Sequence, residues 1–312
     1  MKIEPYELVY EERKLNKKKV FGAALIVATI IGLSIYSGVK SAEYAHEKQK
    51  EAQNQKEQAI VEQIRIEQEE EARKIEEQKN AEIEAKKKIN ENPFTEEQMQ
   101  AIDNIYSAPE GEKRVFLTFD DGPTESVTPL ILDLLKQENI KATFFVLGNR
   151  AKSNPELIRR EYEEGHYIAN HGYSHVYRQV YSSTQAVLDE YNYTESCLQE
   201  ALNNPNYHSK VFRFPGGSVG GYYHSLKKEA KSVLKDNNIT YLDWNCLSKD
   251  AEGANTKEQL LQNVIDTAGT KSSVVVLMHD AADKILTYET LPDVINYFRE
   301  NGYTFKNLYD IL

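Results

Sequence analysis

Cysteine is almost missing from this chain: Cys197 and Cys246 are the only two among 312 residues. That excludes a disulfide framework and a thiolate-bound zinc, and the two thiols read as free and buried, a bridge between them being unforced. A basic excess is missing too. The formal net charge is -11 and the sequence pI near 5.3, a balance that implies no nucleic-acid-binding face. Glycine and proline are missing from Ser41 to Asn92, and charge is missing from Val20 to Val39. The last two gaps divide the chain.

Residues 1–19 are polar and carry Arg13, Lys14, Lys17, Lys18 and Lys19 at their end. The uncharged segment that follows, residues 20–39, has about the 20 residues a helix needs to cross a hydrocarbon core. By the positive-inside rule Met1 is expected in the cytoplasm and everything after Ser41 outside the cell membrane. A cleaved signal peptide is the competing reading. Its apolar core is normally shorter and ends in a small-x-small site, whereas Lys40 stands in the wrong place for one. The expectation is an uncleaved single-pass anchor. Residues 40–93 follow as a stalk filled with Glu, Lys, Gln and Ala, all strong helix formers. Ile60, Val61, Ile64, Ile66, Ile75, Ile83 and Ile89 do not sustain a heptad, so self-association as a coiled coil is expected to be weak. A helix of that length would hold the following domain on the order of 75 Å from the membrane.

Asn92-Pro93 ends the helical pattern, and residues 94–312 have the size of one domain with a full core. Strand and helix signals alternate through it. Apolar strands are expected at Val115–Phe119, Ala142–Leu147, Tyr167–Asn170, Val211–Phe214, Ile239–Trp244 and Val274–Met278. Helices are expected at Ser126–Glu138, from Asn154-Pro155 to Gly165, and at Ser183–Leu202, His224–Asp236, Thr256–Ala268 and Tyr288–Glu300. This alternation predicts an α/β fold with a parallel sheet, open or closed, and about seven units favour a distorted (β/α) barrel.

Such folds keep their sites at the C-terminal ends of the strands. Asp120 and Asp121 end the first strand side by side, where they repel unless a cation or a division of roles separates them; a turn-capping pair is the plainer alternative. His171 and His175 follow the third strand, and one helical turn would bring both imidazoles to one face. Two His and one Asp leave positions open on a divalent ion, as a hydrolytic metal requires.

The ordered set Thr118-Phe119-Asp120-Asp121-Gly122, His171-x-x-x-His175, Arg213-x-Pro215, Asp250 and Leu277-x-His279 resembles the five motifs of the polysaccharide deacetylases (NodB-homology, carbohydrate esterase family 4). It is most similar to those of the membrane-anchored peptidoglycan N-acetylglucosamine deacetylases. The resemblance covers residues 114–312. It implies that Asp121, His171 and His175 hold a divalent metal, Zn2+ first and Co2+, Mn2+ or Ni2+ also admissible. It implies Asp120 as general base, His279 as general acid, Arg213 as the partner of Asp120 and Asp250 as the partner of His279. Pro215, Gly216 and Leu277 fall to substrate binding, with the Gly216 N–H as an oxyanion donor. The expected partner is cell-wall glycan. Other acetylated polysaccharides, and a non-catalytic glycan-binding role, are the alternatives. Three positions depart from the family pattern: Gly216 stands where Tyr is usual, Gly172 where Ser or Thr is usual, and Ala251 where Trp is usual, with Trp244 nearby and Ser174 as a substitute hydroxyl. Of the 20 tyrosines, Tyr173, Tyr177, Tyr222 and Tyr223 fall in loops near the motifs, where a ring face can stack on sugar.

The anchor is testable directly: N-terminal analysis of the mature protein should find residues 20–39 still attached. A mature N-terminus between Ser41 and Tyr44 would overturn that expectation.

Overall fold

The computed structural model describes residues 43–312. The expected cytoplasmic tail and membrane anchor, residues 1–39, lie outside the described residues. Among the described residues no helix is long and apolar enough to cross a membrane. Helix α1 (Glu43–Glu91) is 49 residues long, as the run of helix formers predicts. Ile60, Val61, Ile66, Ile75 and Ile83 are exposed on it. Side chains of opposite charge pair one turn apart, Arg65 with Glu62 and Glu69 and Arg73 with Glu77, exposed pairs that support the helix only weakly.

Residues 79–312 form a compact unit of their own. Its strands are β1 (Arg114–Asp120), β2 (Thr143–Val146), β3 (Tyr167–Asn170), β4 (Val211–Phe212), β5 (Thr240–Tyr241), β6 (Cys246–Leu247), β7 (Ser273–His279) and β8 (Thr304–Lys306). Seven of them follow the order β5-β4-β3-β2-β1-β7-β6, and every pairing is parallel. Among the described residues no ladder joins β5 to β6. The sheet is therefore a half-barrel rather than the closed barrel that seven units suggested. Strands β5 and β6 are only two residues long, too short to carry a closing ladder. The eighth strand, β8, pairs with Arg114–Phe116, while β2 pairs with Thr118–Asp120. One edge of β1 is thus shared between two neighbours.

Helices α2 (Glu96–Asp103), α3 (Thr128–Glu138), α4 (Gly148–Ser153), α5 (Pro155–Glu163), α6 (Tyr177–Val180), α7 (Thr184–Ala201), α8 (His224–Asp236), α9 (Lys257–Ala268) and α10 (Ile285–Glu300) fill the connections. Thr95, Ser183 and Thr256 cap three of them with side-chain oxygens, satisfying amides that the first turn leaves free. The sequence patterns missed α2, α4, α6, β6 and β8 and extended β5 to Trp244.

Strand alternation decides what faces where. Val115, Leu117 and Phe119 pack under the helices with Ile131, Leu135, Val264 and Leu291. Phe116, Phe145, Tyr167, Ala169, Val211 and Val275 point to the inner face, which Phe94, Ile102, Ile105 and Leu308 cover. Two-residue steps along that face from Phe116, Ala169, Val211 and Val275 arrive at Thr118 and Asp120, His171, Arg213, and Leu277 and His279. The inner face is apolar until the strand ends, where every one of these positions but Leu277 turns polar.

The last turn of α1 belongs to this unit. Asn90 is buried; its amide donates to the His208 carbonyl at 3.2 Å, its carbonyl oxygen accepts from the Tyr309 hydroxyl at 2.6 Å, and the Lys210 ammonium bonds the carbonyls of Ile89 and Asn92. Replacing Asn90 by Ala removes the two hydrogen bonds to His208 and Tyr309, each contributing about 0.5–1.5 kcal/mol. Thermal unfolding of Asn90→Ala should fall by about 2–4 °C for each kcal/mol lost; an unchanged midpoint would mean that this junction contributes nothing.

Candidate active site

Asp120 ends β1 with its side chain buried, and Arg213, wholly buried one residue beyond β4, donates to its Oδ1 from Nη1 at 2.7 Å. The same Nη1 reaches Thr118 Oγ1 at 2.8 Å, Nε reaches the Leu242 carbonyl at 3.0 Å and Nη2 the Asp243 carbonyl at 3.1 Å. The guanidinium lies 3.8 Å from the centre of the Phe145 ring. Burial pushes the Asp120 carboxyl up, and the charges of Arg213 and His279 pull it part of the way back.

The next residue turns away. Asp121 has φ 74, and Asp is one of the few non-glycine residues that tolerates this region. Its Oδ1 lies 3.7 Å from His171 Nε2 and 3.5 Å from His175 Nε2. These three atoms all fall within 4.8 Å of one another, and the buried Oδ1 has no hydrogen-bond donor. An orphaned carboxylate oxygen facing two imidazole nitrogens fits a divalent cation, which would satisfy all three at once. His171 Nδ1 donates to the Arg213 carbonyl at 2.8 Å, which leaves the Nε2 lone pair free for a metal. Burial pushes the His171 imidazole down to about 3 despite the Asp121 charge, so the ring is neutral, the form that ligates.

The two histidines do not share a helical turn. Residues 171–176 form a loop in which Gly172 has φ 84 and His175 φ 57, and the imidazoles converge because the backbone reverses between them. Two acidic residues hold this loop. Glu190 on α7 accepts from the amides of Tyr173 and Ser174 at 2.6 and 2.7 Å and from the Ser174 hydroxyl at 2.7 Å. Glu195 accepts from Asn170, whose own Oδ1 takes the Gly172 amide at 2.9 Å.

His279 ends β7 as the register partner of Asp120 across the β1–β7 ladder. Its Nδ1 is 2.8 Å from Asp250 Oδ1, while Asp250 Oδ2 accepts from the His279 amide and the Thr287 hydroxyl, each at 2.8 Å. Burial works against the imidazolium, but the Asp250 bond and charge, with those of Asp120 and Asp121, outweigh it and raise His279 to about 9. Leu277 lies two residues back on the same face and is nearly buried.

Pro215 and Gly216 shape the opposite wall. The Pro215 carbonyl accepts from Tyr181 at 2.7 Å, the Gly217 carbonyl from Lys227 at 2.7 Å, and Asp243 takes both the amide and hydroxyl of Ser218 at 2.9 and 2.5 Å. Among the described residues the exposed Gly216 amide has no acceptor within the protein. A Cβ on Gly216 would meet the Tyr177 hydroxyl at 2.5 Å, and one on Gly217 the Trp244 ring at 3.1 Å. Rings therefore flank this turn although no aromatic residue stands within it.

The structure brings all ten expected site residues to the same strand ends. Sequence reading missed Glu190, Asp243 and Thr287, each delivered by a distant segment. It also missed Asp280, a buried carboxyl that takes the Thr128 hydroxyl at 2.5 Å and packs where a Cβ on Gly122 would fall, 2.0 Å from its Oδ2. Cys197 and Cys246 are free and buried, as expected.

Residues 107–241 match the polysaccharide deacetylase family. A peptidoglycan-N-acetylglucosamine deacetylase of Bacillus cereus is 32% identical over 214 residues, covering 66% of this chain and 92% of that one. One from Listeria monocytogenes is 34% identical over 203 residues, 64% of this chain but 39% of its own length. Among solved structures, a carbohydrate esterase family 4 esterase of Streptococcus mutans superposes with a TM-score of 0.59 at 32% identity, covering 70% of this chain and 95% of that one. The catalytic domain of a peptidoglycan N-acetylglucosamine deacetylase from Eubacterium rectale gives 0.58 at 32%, over 64% and 90%. With 92% of the Bacillus cereus relative matched at 32% identity, and a parallel half-barrel carrying the expected motifs at its strand ends, this chain belongs to the polysaccharide deacetylase family.

Proposed function

We propose that this enzyme, a hydrolase of N-acetyl amides by its family, removes acetyl groups from the N-acetylglucosamine residues of peptidoglycan and does so with a divalent metal. One observation carries the reading. Asp120 and His279, register partners on adjacent strands, are each held by a buried group of opposite charge, and both stand beside three convergent metal-ligand atoms. The names of the similar Bacillus, Listeria and Eubacterium proteins support the glucosamine residue as substrate.

A metal ion held by Asp121, His171 and His175 would polarise the acetyl carbonyl and acidify a water. Asp120 is positioned to take the proton as the water oxygen attacks the carbonyl carbon, and Arg213 fixes the carboxylate for that task. The free Gly216 amide is available to the oxyanion. His279, held by Asp250, gives its proton to the amine nitrogen as the carbon–nitrogen bond breaks, and acetate and a free amino sugar result. Leu277, on the same face as His279, offers the acetyl methyl an apolar contact. We further propose that residues 20–39 anchor the enzyme in the cell membrane with the domain outside, a reading supported by the basic cluster that precedes them.

Replacing His171 or His175 with Ala should remove bound metal and nearly all acetate release, because two remaining protein ligands hold a divalent ion poorly. Elemental analysis beside an acetate assay checks this, and full metal occupancy with full activity in either variant would reassign the ligands.

The acid has its own signature. His279 is raised from 6.5 to about 9, so the proton it must donate is retained at neutral pH and lost as pH rises through about 9, where the alkaline limb of the rate should fall. For the same sign reason, the stabilising pair with Asp250 is fully present below pH 6.5 and is lost through about 9. Asp250→Asn should move the limb down in pH. His279→Ala should spare ester cleavage relative to amide cleavage, since an alcohol leaves with less need of a proton, while Asp120→Asn should lower both by about 100-fold or more. Equal losses on ester and amide in His279→Ala would remove its assignment as the acid.

A further inference from the structure

A series of buried hydrogen bonds joins the end of α1 to the loop that carries His171 and His175. The backbone of His208 pairs with Asn90 in both directions: its amide donates to the Asn90 carbonyl at 3.0 Å, and its carbonyl accepts from Asn90 Nδ2 at 3.2 Å. Lys210, held at φ 58, turns its ammonium onto the carbonyls of Ile89 and Asn92. Ser209 stands between these two anchored residues. Its amide donates to Glu195 Oε2 at 3.0 Å and its hydroxyl to Oε1 at 2.6 Å. The same Oε1 takes Asn170 Nδ2 at 3.0 Å, and Nδ2 also donates to the Tyr191 carbonyl at 3.0 Å. Asn170 Oδ1 is thereby left to the Gly172 amide, 2.9 Å away, in the turn between the two histidines. Asn90, Asn170, Glu195, Ser209 and Lys210 are all buried.

The Asn170 amide group has two orientations, and only one fits. Turned over, its NH2 would face the Gly172 N–H, donor against donor, and its oxygen would face Glu195 and the Tyr191 carbonyl, acceptor against acceptor. Glu195 forbids that flip while its carboxylate stays where Ser209 holds it. Gly172, at φ 84, makes the reversal that lets the imidazoles converge, so the ligand geometry inherits the position of Ser209. We propose that the last turn of α1 is a positioning element of the metal site: Asn90 and Lys210 fix Ser209, Ser209 fixes Glu195, and Glu195 through Asn170 fixes the ligand loop. These residues touch neither substrate nor metal, and their effect is on affinity for the ion. Asn90 stands well before the first family motif at Thr118, so the motifs give it no such part. The inference rests on the assignment of Asp121, His171 and His175 as ligands.

The test is Co2+ binding to the full chain, read by visible absorption and by competition with a chromophoric chelator, well below the unfolding temperature. Asn90→Ala and Lys210→Met should each weaken Co2+ about fivefold, within the about two- to thirtyfold that changes between linked sites span. Glu195→Gln stands closer to the loop and should cost about tenfold or more, because either orientation of its amide sets NH2 against a donor. Asn90→Ala combined with Glu195→Gln should cost no more than Glu195→Gln alone, since both act through one residue. Should Glu195→Gln not fold, Ser209→Ala takes its place, removing only the hydroxyl bond, with a loss of about threefold expected. Thr267→Ala is the control. Its hydroxyl accepts from the Leu247 amide at 3.1 Å and has no bond to this series, so the variant should lower the unfolding midpoint and leave Co2+ affinity unchanged. Unchanged affinity in Asn90→Ala or in Lys210→Met, additive losses in the double variant, or an equal loss in Thr267→Ala would overturn the proposal. An unaltered protein that binds Co2+ but releases no acetate sinks the deacetylase reading alone. One that binds no Co2+ sinks the ligand assignment, and this proposal with it.

Discussion

Arg213 is the group on which the site depends. Its guanidinium is wholly buried, and all that compensates the charge comes from segments far apart in sequence: Asp120 and Thr118 on β1, the carbonyls of Leu242 and Asp243 after β5, and the Phe145 ring on β2. Its own carbonyl fixes the His171 tautomer. One residue thus orients the Asp120 carboxylate and sets the His171 imidazole. A buried cation that loses its carboxylate is left uncompensated, at roughly 3–5 kcal/mol, so fold and chemistry are joined at this residue. The arrangement of Asp120 follows from the pairing, and that of His279 from the parallel one with Asp250.

Strand alternation brings these groups together, and departures from regular backbone divide their labour. Asp120 continues the inner face of β1, whereas Asp121 at φ 74 leaves it and meets the histidines. Without that reversal adjacent carboxylates on one strand would point to opposite faces. His175 at φ 57 does the same for its loop. Left-handed conformations at non-glycine residues cost about 1–3 kcal/mol, and here two of them stand among three candidate ligands. The cost is met by the hydrogen bonds of Glu190 and Asn170 that hold the loop.

What was legible in the sequence follows the same division. The long apolar runs at Val115–Phe119 and Val274–Met278 announce buried strands because both faces are covered, and Tyr167–Asn170 and His224–Asp236 were bounded correctly by their flanking signals. The short strands β6 and β8 leave no periodic trace and β5 was drawn too long, so the count of units suggested a distorted barrel where the sheet is a half-barrel. The ten expected positions could be listed from the sequence because they follow strands in the order of the family motifs. The spacing of His171 and His175 suggested a helical turn, since a difference of four says nothing about a reversal at Gly172. Glu190, Asp243, Asp280 and Thr287 were invisible because their value arises only where distant segments meet. The usual ring missing at Gly216 is replaced in space by Tyr177, a substitution that no linear pattern encodes.

The shared edge of β1 has a consequence for how the chain is made. Arg114, Val115 and Phe116 have β7 on one side and β8 on the other, and these are the last two strands to be synthesised. A chain growing from its N-terminus has no neighbour for the first half of its central strand until β7 appears at Ser273, and lacks the second until β8 appears at Thr304. The contacts that close the sheet are therefore among the longest in sequence separation, and such contacts form late. Completion of the domain waits on the C-terminal residues, and loss of β8 would leave that edge of β1 without its partner.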